Sequence, residues 1–246
     1  DITHEIKAHD IRSGGLTLAR SAQYLDRGII LAIVDPGVGG SRKEVAIEVN
    51  GGDYVLVGPD NGLLPPAVAM LGESTRAVEL TNSKFHLPSL SSTFAGRDIF
   101  APVAAHLTLG IPLDELGDLI PVHSLQPGIL PVGGVNGEIV SAEVLWEDRF
   151  GNLQLNLAPE DIQELGETFM LRFGEMSRRV TMAKTFEAIP SSEVGLIVDS
   201  SGLLSISMYG RSAAEELKLH EGQQVELTPA EDNHRNIVPV TLRTER

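Results

Sequence analysis

The chain contains no cysteine. Disulfides, cysteine-ligated metals and thiol catalysis are excluded, and a cytoplasmic setting is the expectation. No run of about 18 apolar residues occurs, so no membrane span and no membrane partner are expected. The longest apolar stretches, such as Gly28 to Val34, have the length of strands instead. No signal-peptide pattern is visible where the sequence opens, on Asp1-Ile2-Thr3-His4. Positive charge is scarce: 19 lysines and arginines face 34 acidic residues, for a formal net charge of −15. Binding to a phosphate backbone needs the opposite balance, so nucleic acid is not expected as a partner. The glycines at 37, 39 and 40 are followed by no Gly-Lys-Ser/Thr and make neither a Walker A loop nor a dinucleotide fingerprint. The seven histidines form no HExxH pair, and no nucleophile elbow is present. Neither a metal nor a cofactor is expected.

What remains is a chain of 246 residues, enough for one large core or two modest ones. In the first half, Gly28 to Val34 reads as a buried strand ending at Asp35, and Val45 to Val49 and Tyr54 to Val57 as a hairpin about Asn50-Gly51-Gly52-Asp53. Leu63 to Leu71 reads as a helix with a late start at Pro65-Pro66, and Arg97 to Leu109 as the clearest helix, stopped by Gly110. This mixture predicts an α/β domain over 1–120. Residues 121–128, rich in turn formers, read as a linker. From 129 to 246 the pattern is mostly strand: Glu138 to Trp146, Thr168 to Phe173, Leu203 to Met208, Gln223 to Leu227 and Asn236 to Leu242, with one short helix from Ser212 to Leu217. Several short strands with turns between them predict a barrel-like β domain.

Two groups of polar loops carry the chemistry. Asp35-Pro36-Gly37-Val38-Gly39-Gly40-Ser41-Arg42 follows a strand end, the usual binding position in α/β folds. Arg42 can fold back onto Asp35 as a two-pronged ion pair, which would either hold a turn or build a site. Asp60 and Asn61, after the next strand, either make a turn or line a pocket. Thr93-Phe94-Ala95-Gly96-Arg97-Asp98 leads into the long helix; Asp98 suits the helix start, which leaves Arg97 free to reach a neighbouring loop. In the second half, Asp148, Phe150 and Asn152 form a dense polar loop. Asn152 can donate and accept together, as an adenine edge requires, and Asp148 can face an ammonium; a bulged hairpin is the structural alternative. Asp199-Ser200-Ser201-Gly202 is a hydroxyl-bearing turn that would bind a carboxylate or reverse the chain.

Taken in order, DPGVGGSR (35–42), GPDNGLL (58–64), TFAGRDIFAPVAAHL (93–107), DRFGNLQLN (148–156) and DSSGLL (199–204) resemble the S-adenosylmethionine (SAM) hydroxide adenosyltransferases, or SAM hydrolases, relatives of the fluorinase and chlorinase enzymes. The resemblance spans nearly the whole chain. It implies an α/β N-terminal domain, a barrel-like C-terminal domain and a homotrimer with SAM held at subunit interfaces. It also implies a further N-terminal segment, carrying a strand and a ribose-binding aspartate, ahead of Asp1. The implied reaction is attack of water on C5′ of SAM, giving adenosine and L-methionine, with SAM as substrate and no cofactor. Asp35 and Arg42 match the family's aspartate and arginine near the attacked carbon. The segment TFHGRD of the family reads TFAGRD here, so Ala95 stands at the histidine position and turnover is expected to be impaired. Asp148 and Ser200 match residues at the methionine end, and Asn152 one that recognises adenine. Asp60, Asn61, Phe94, Phe150 and Ser201 complete the expected binding set. A non-catalytic SAM or adenosine binder and a halogenase-like enzyme are the alternatives.

Overall fold

The computed structural model describes residues 1–89, 91–129 and 131–230. The strand expected over Asn236 to Leu242 lies outside the described residues. The chain divides into two compact units, Asp1–Leu130 and Pro131–Arg246. Within residues 121–128, read as a linker, Leu125 packs on the core of the first unit and the Gln126 amide donates to the Asp60 carboxylate at 2.7 Å.

The first unit runs α1 (Ile11–Ala22), β1 (Gly28–Leu31), β2 (Glu44–Val49), β3 (Tyr54–Pro59), α2 (Pro65–Leu71), β4 (Ser74–Glu79), α3 (Ala101–Thr108) and β5 (Asp118–Ile120). The five strands form one sheet in the order β1-β3-β2-β4-β5, in which only β1 and β3 run parallel. Strand alternation sorts the side chains. Val45, Ile47 and Val49 of β2 pack with Leu18 and Ala22 of α1 and Ala67 of α2. Ala46 and Val57 point to the opposite face, among Phe100 and Val103. The β2–β3 hairpin forms as expected, its turn taking positive φ at Asn50, Gly51 and Gly52.

Two expectations need correction. The run from Gly28 to Val34 is not a fully buried strand. It ends as a strand at Leu31 and lies at the edge of the sheet, so that only Ile30 is buried while Leu31 and Ile33 are 43% and 41% exposed. A continuous apolar run does not distinguish a central strand from an edge one. The helix expected from Arg97 begins instead with a wide, π-type turn over Gly96–Phe100, in which the Ala101 amide bonds back to the Gly96 carbonyl, and becomes α-helical only at Ala101. Such turns widen the backbone locally and re-aim side chains. The helix α1 carries Gly14 and Gly15 at buried positions and drew no expectation from its sequence; Asp10 caps it by accepting from the Ser13 amide.

The second unit runs β6 (Gly134–Asn136), β7 (Ile139–Glu147), β8 (Leu153–Leu155), β9 (Thr168–Phe173), β10 (Met176–Met182), β11 (Val194–Val198), β12 (Leu204–Ser207), α4 (Ala213–Leu217) and β13 (Gln224–Pro229). Among the described residues, seven strands close in the order β13-β9-β10-β11-β12-β8-β7, with β7 pairing back to β13 and β6 appended to β7. The expected barrel is therefore a closed one, which removes its sheet edges. Val140, Val144, Leu153, Phe169, Leu171 and Leu227 are among the residues that fill it. Ser212 caps α4, accepting from the Glu215 amide.

The glycine at 58 fixes how closely β1 approaches β3: a Cβ there would stand 2.3 Å from the Ala32 carbonyl oxygen. Gly58→Ala is expected to push the end of β1 off the sheet and to destabilise the protein by about 1–3 kcal/mol, the usual cost of overpacking. Urea unfolding of the two forms measures it.

Candidate active site

Three loops of the first unit converge at the end of β1. The loop 35–42 leaves β1 and turns through Gly39 at φ 74, where a Cβ would stand 3.0 Å from the Ser92 carbonyl oxygen. The loop 59–62 is tied to the same place by Asn61, whose amide donates to the Val34 carbonyl at 2.9 Å. The wide turn before α3 brings Gly96 against Ile33.

Asp35 and Arg42 meet as the sequence suggests. Arg42 Nε donates to Asp35 Oδ1 at 2.8 Å and its Nη2 to Oδ2 at 2.5 Å. A third charge joins them: Glu44 Oε1 lies 2.6 Å from Arg42 Nη1. The Asp35 and Arg42 side chains are only 6% and 9% exposed, and the guanidinium stands 5.5 Å from the centre of the Phe100 ring. Burial works against the Arg42 charge, but the bonds to Asp35 and Glu44 outweigh it and hold the guanidinium above its usual range.

Cavities lie on either side of this cluster. One, of about 310 Å³, is lined by Asp35, Pro36 and Ile33 together with His4, Lys7 and His9. The other, of about 510 Å³, is lined by Gly39, Gly40, Glu44, His86, Ser89, Ala95 and Asp98, among others. Ala95 is 4% exposed and packs in the core beside Phe100, yet its methyl borders this open space. His86, which the sequence reading did not select, lies beyond the short turn that Asn82 caps. Its Nε2 is buried without a hydrogen-bond partner. Burial holds the imidazole below its usual pKa, with Glu44 and a bond to the Leu80 backbone acting in the opposite sense.

Other expected residues are placed less favourably for a ligand. Asp60 and Asn61 are engaged in the fold, Asp60 by the Gln126 amide and Asn61 by Val34 and by the Leu63 amide. Phe94 is exposed, with the Arg97 guanidinium 4.7 Å from its ring centre. Arg97 does not reach another loop; it pairs with its own neighbour Asp98 at 2.6 and 3.0 Å. That bond, with one from Ser89, holds the Asp98 carboxyl below the usual range.

In the second unit, Asp148 closes its own loop by accepting from the amides of Phe150 and Asn152 and from the Asn152 side chain at 2.8 Å. Gly151 allows this turn at φ 78. Phe150 and Asn152 line a cavity of about 550 Å³ with Phe186, Met208, Tyr209 and Arg211. Phe186 and Tyr209 come from segments distant in sequence, and no local pattern marks them. Ser200 and Ser201 belong to a turn organised by Asp199, which accepts from the Ser201 amide at 2.8 Å and from the Gln154 side chain. No group of three or more His, Cys, Asp or Glu residues suited to a metal occurs among the described residues, and no described helix is long and apolar enough to cross a membrane.

The charge cluster generates a stability prediction. Removing the guanidinium leaves the buried Asp35 carboxylate unpaired, with the partly exposed Glu44 beside it, so Arg42→Ala is expected to cost about 3–5 kcal/mol. Denaturant unfolding reads it; a loss below 1 kcal/mol, the range of a surface pair, contradicts the buried arrangement.

With this geometry in view, known proteins supply a consistent relationship. Residues 1–117 match the SAM hydroxide adenosyltransferase N-terminal domain and residues 142–226 its C-terminal domain. A protein of Salinispora arenicola named (R)-S-adenosyl-L-methionine hydrolase is 38% identical over 228 residues, covering 93% of this chain and 85% of its own. A protein of the same name from Thermus thermophilus is 37% identical over 92% of this chain and 86% of its own. A fluorinase of Actinoplanes is more distant, at 22% identity over 94% of this chain and 87% of its own. An uncharacterised conserved protein from Thermotoga maritima superposes with a TM-score of 0.84 at 32% identity, covering 93% of this chain and 88% of its own. The chain belongs to the SAM hydroxide adenosyltransferase family.

Proposed function

We propose that this protein hydrolyses SAM to adenosine and L-methionine by attack of water on C5′, with turnover restrained by alanine at position 95. The observation that carries the reading is the buried Asp35–Arg42 pair in the loop beyond β1, in a chain whose relatives bear the name SAM hydrolase.

The chemistry asks little of the leaving group, since a sulfonium departs as a neutral thioether. It asks for a water aimed along the C5′–S axis and for somewhere to put its proton. Asp35, held rigid by two bonds from Arg42, is suited to orient that water through its carboxylate. The Arg42 charge steadies hydroxide character as it develops. An imidazole at position 95 would border the same space as Glu44 and the glycine loop; a methyl there neither orients a water nor accepts a proton.

The cavity of the second unit suits a nucleobase. Phe150, Phe186 and Tyr209 present aromatic surface, and Asn152 brings an amide to its lining. Asp148 and Ser200 are assigned to the methionine end, and Ser201 to the binding set, by the family resemblance alone. The reading includes assembly as a homotrimer, which a native mass measurement tests.

Incubation with SAM, with adenosine and methionine followed by chromatography, tests the reaction. Ala95→His is expected to raise kcat by about 10²–10⁴-fold, the range of a general base; an unchanged kcat removes that role from position 95. Phe150→Ala is expected to weaken SAM binding by about 1–3 kcal/mol, the value of one aromatic stacked on a base. Unaltered binding by titration calorimetry places the adenine elsewhere.

A further inference from the structure

Of the two cavities beside the charge cluster, Asp35 lines the one of about 310 Å³, whereas Glu44 and Ala95 line the other. A water aimed by the Asp35 carboxylate therefore stands in the first, and loses its proton to a group that borders it. Both oxygens of Asp35 already accept from Arg42, which commits that carboxylate to orientation. Most of the remaining lining comes from the segment between Thr3 and His9, which brings His4, Lys7 and His9. His4 is paired at the surface with Asp1 at 3.5 Å. His9 is held differently. The Asp10 amide donates to the Lys7 carbonyl at 3.1 Å and closes a tight turn, in which His9 takes the third position at φ 71. Glycine adopts that conformation freely, and a residue with a Cβ adopts it at a cost. Asp10 then caps α1 by accepting from the Ser13 amide at 2.9 Å, which fixes the turn to the helix. Glycine or asparagine would serve the turn at least as well. A histidine there sets an imidazole in the cavity wall against the backbone preference, and such strain points to a use for the side chain.

We propose that the His9 imidazole is the proton acceptor for the water that Asp35 orients. The inference rests on the SAM-hydrolysing reading above. As the oxygen of that water bonds to C5′, the C5′–S bond breaks and its electron pair leaves with methionine. One proton passes from the oxygen to a ring nitrogen of His9 and then to solvent, leaving adenosine, methionine and a neutral imidazole. His9 is exposed, so water reaches the residue and the proton has a route out. Imidazole suits the step because it both accepts and releases a proton near neutral pH. The titratable groups that share the cavity with it are His4, Lys7 and Asp35. The Lys7 ammonium only donates, Asp35 is held by Arg42, and His4 is drawn to Asp1. His9 thus gives a chain with alanine at position 95 an acceptor of its own, on the Asp35 side of the cluster.

The test uses the full chain and two replacements that suit a positive φ but supply no base, His9→Gly and His9→Asn. Each is expected to lower kcat for adenosine formation by about 10–100-fold with KM changed less than threefold, and added imidazole to restore part of the loss in His9→Gly. In the parent chain kcat is expected to fall on acidification, as the acceptor becomes protonated, and this fall to vanish in both variants. Unfolding midpoints are expected to be unchanged or raised, since both residues fit the turn. Lowered midpoints in both variants without imidazole rescue mean that His9 serves the turn alone and overturn the proposal. Adenosine formed by the parent with kcat unchanged in His9→Gly also removes His9, and leaves the hydrolase reading standing. If only Ala95→His turns over SAM, that reading stands and the role of His9 falls. If neither the parent nor Ala95→His turns over SAM, both fall.

Discussion

The first unit is organised around one buried constraint: Arg42 must neutralise Asp35 where little water reaches the pair, while also holding the partly exposed Glu44. Such a cluster is expensive to desolvate, and its attraction compensates only in good geometry. The surrounding backbone is arranged accordingly. Gly58 admits β1 close to β3, Asn61 ties down the Val34 carbonyl, and Gly39 lets the loop pass against Ser92. These contacts hold the backbone on either side of Asp35. Rigidity of this kind is what aiming a water requires.

The barrel of the second unit solves a different problem. Its strands alternate strictly where one face must be filled: Leu153 and Leu155 of β8, and Leu204 and Ile206 of β12, join the core. Gln154, Ser205 and Ser207 take the opposite positions and are also buried. Gln154 is satisfied by the Asp199 carboxylate, which couples the barrel wall to the turn of Ser200 and Ser201. The loop closed by Asp148 places Phe150 in the lining of a cavity, where Phe186 and Tyr209 arrive from elsewhere in the chain.

Local chemistry was legible in the sequence where a few adjacent residues decide it. The Asn50-Gly51-Gly52 turn, the cap at Ser212, the Thr168–Phe173 strand and the return of Arg42 onto Asp35 all follow from spacing and side-chain type. What escaped depends on the third dimension. Leu31 and Ile33 read as buried because an apolar run does not reveal whether a strand has a neighbour on each side. Gly14 and Gly15 obscured α1, although they sit where Leu63 and Pro66 leave no room for a side chain. Arg97 reads as free to reach a neighbouring loop, but its immediate neighbour Asp98 holds it. His86 carried no motif; only its burial beside Glu44 and the opening at Ala95 distinguishes it from the other histidines.

The central claim is that water attacks C5′ of SAM at this site. It is tested most directly by running the reaction in ¹⁸O-enriched water and weighing the adenosine formed. The account predicts adenosine carrying one heavy oxygen at its 5′ position, released together with methionine. Unlabelled adenosine, a halogenated nucleoside formed only when chloride is supplied, or SAM recovered intact from both the parent chain and its Ala95→His variant would contradict it.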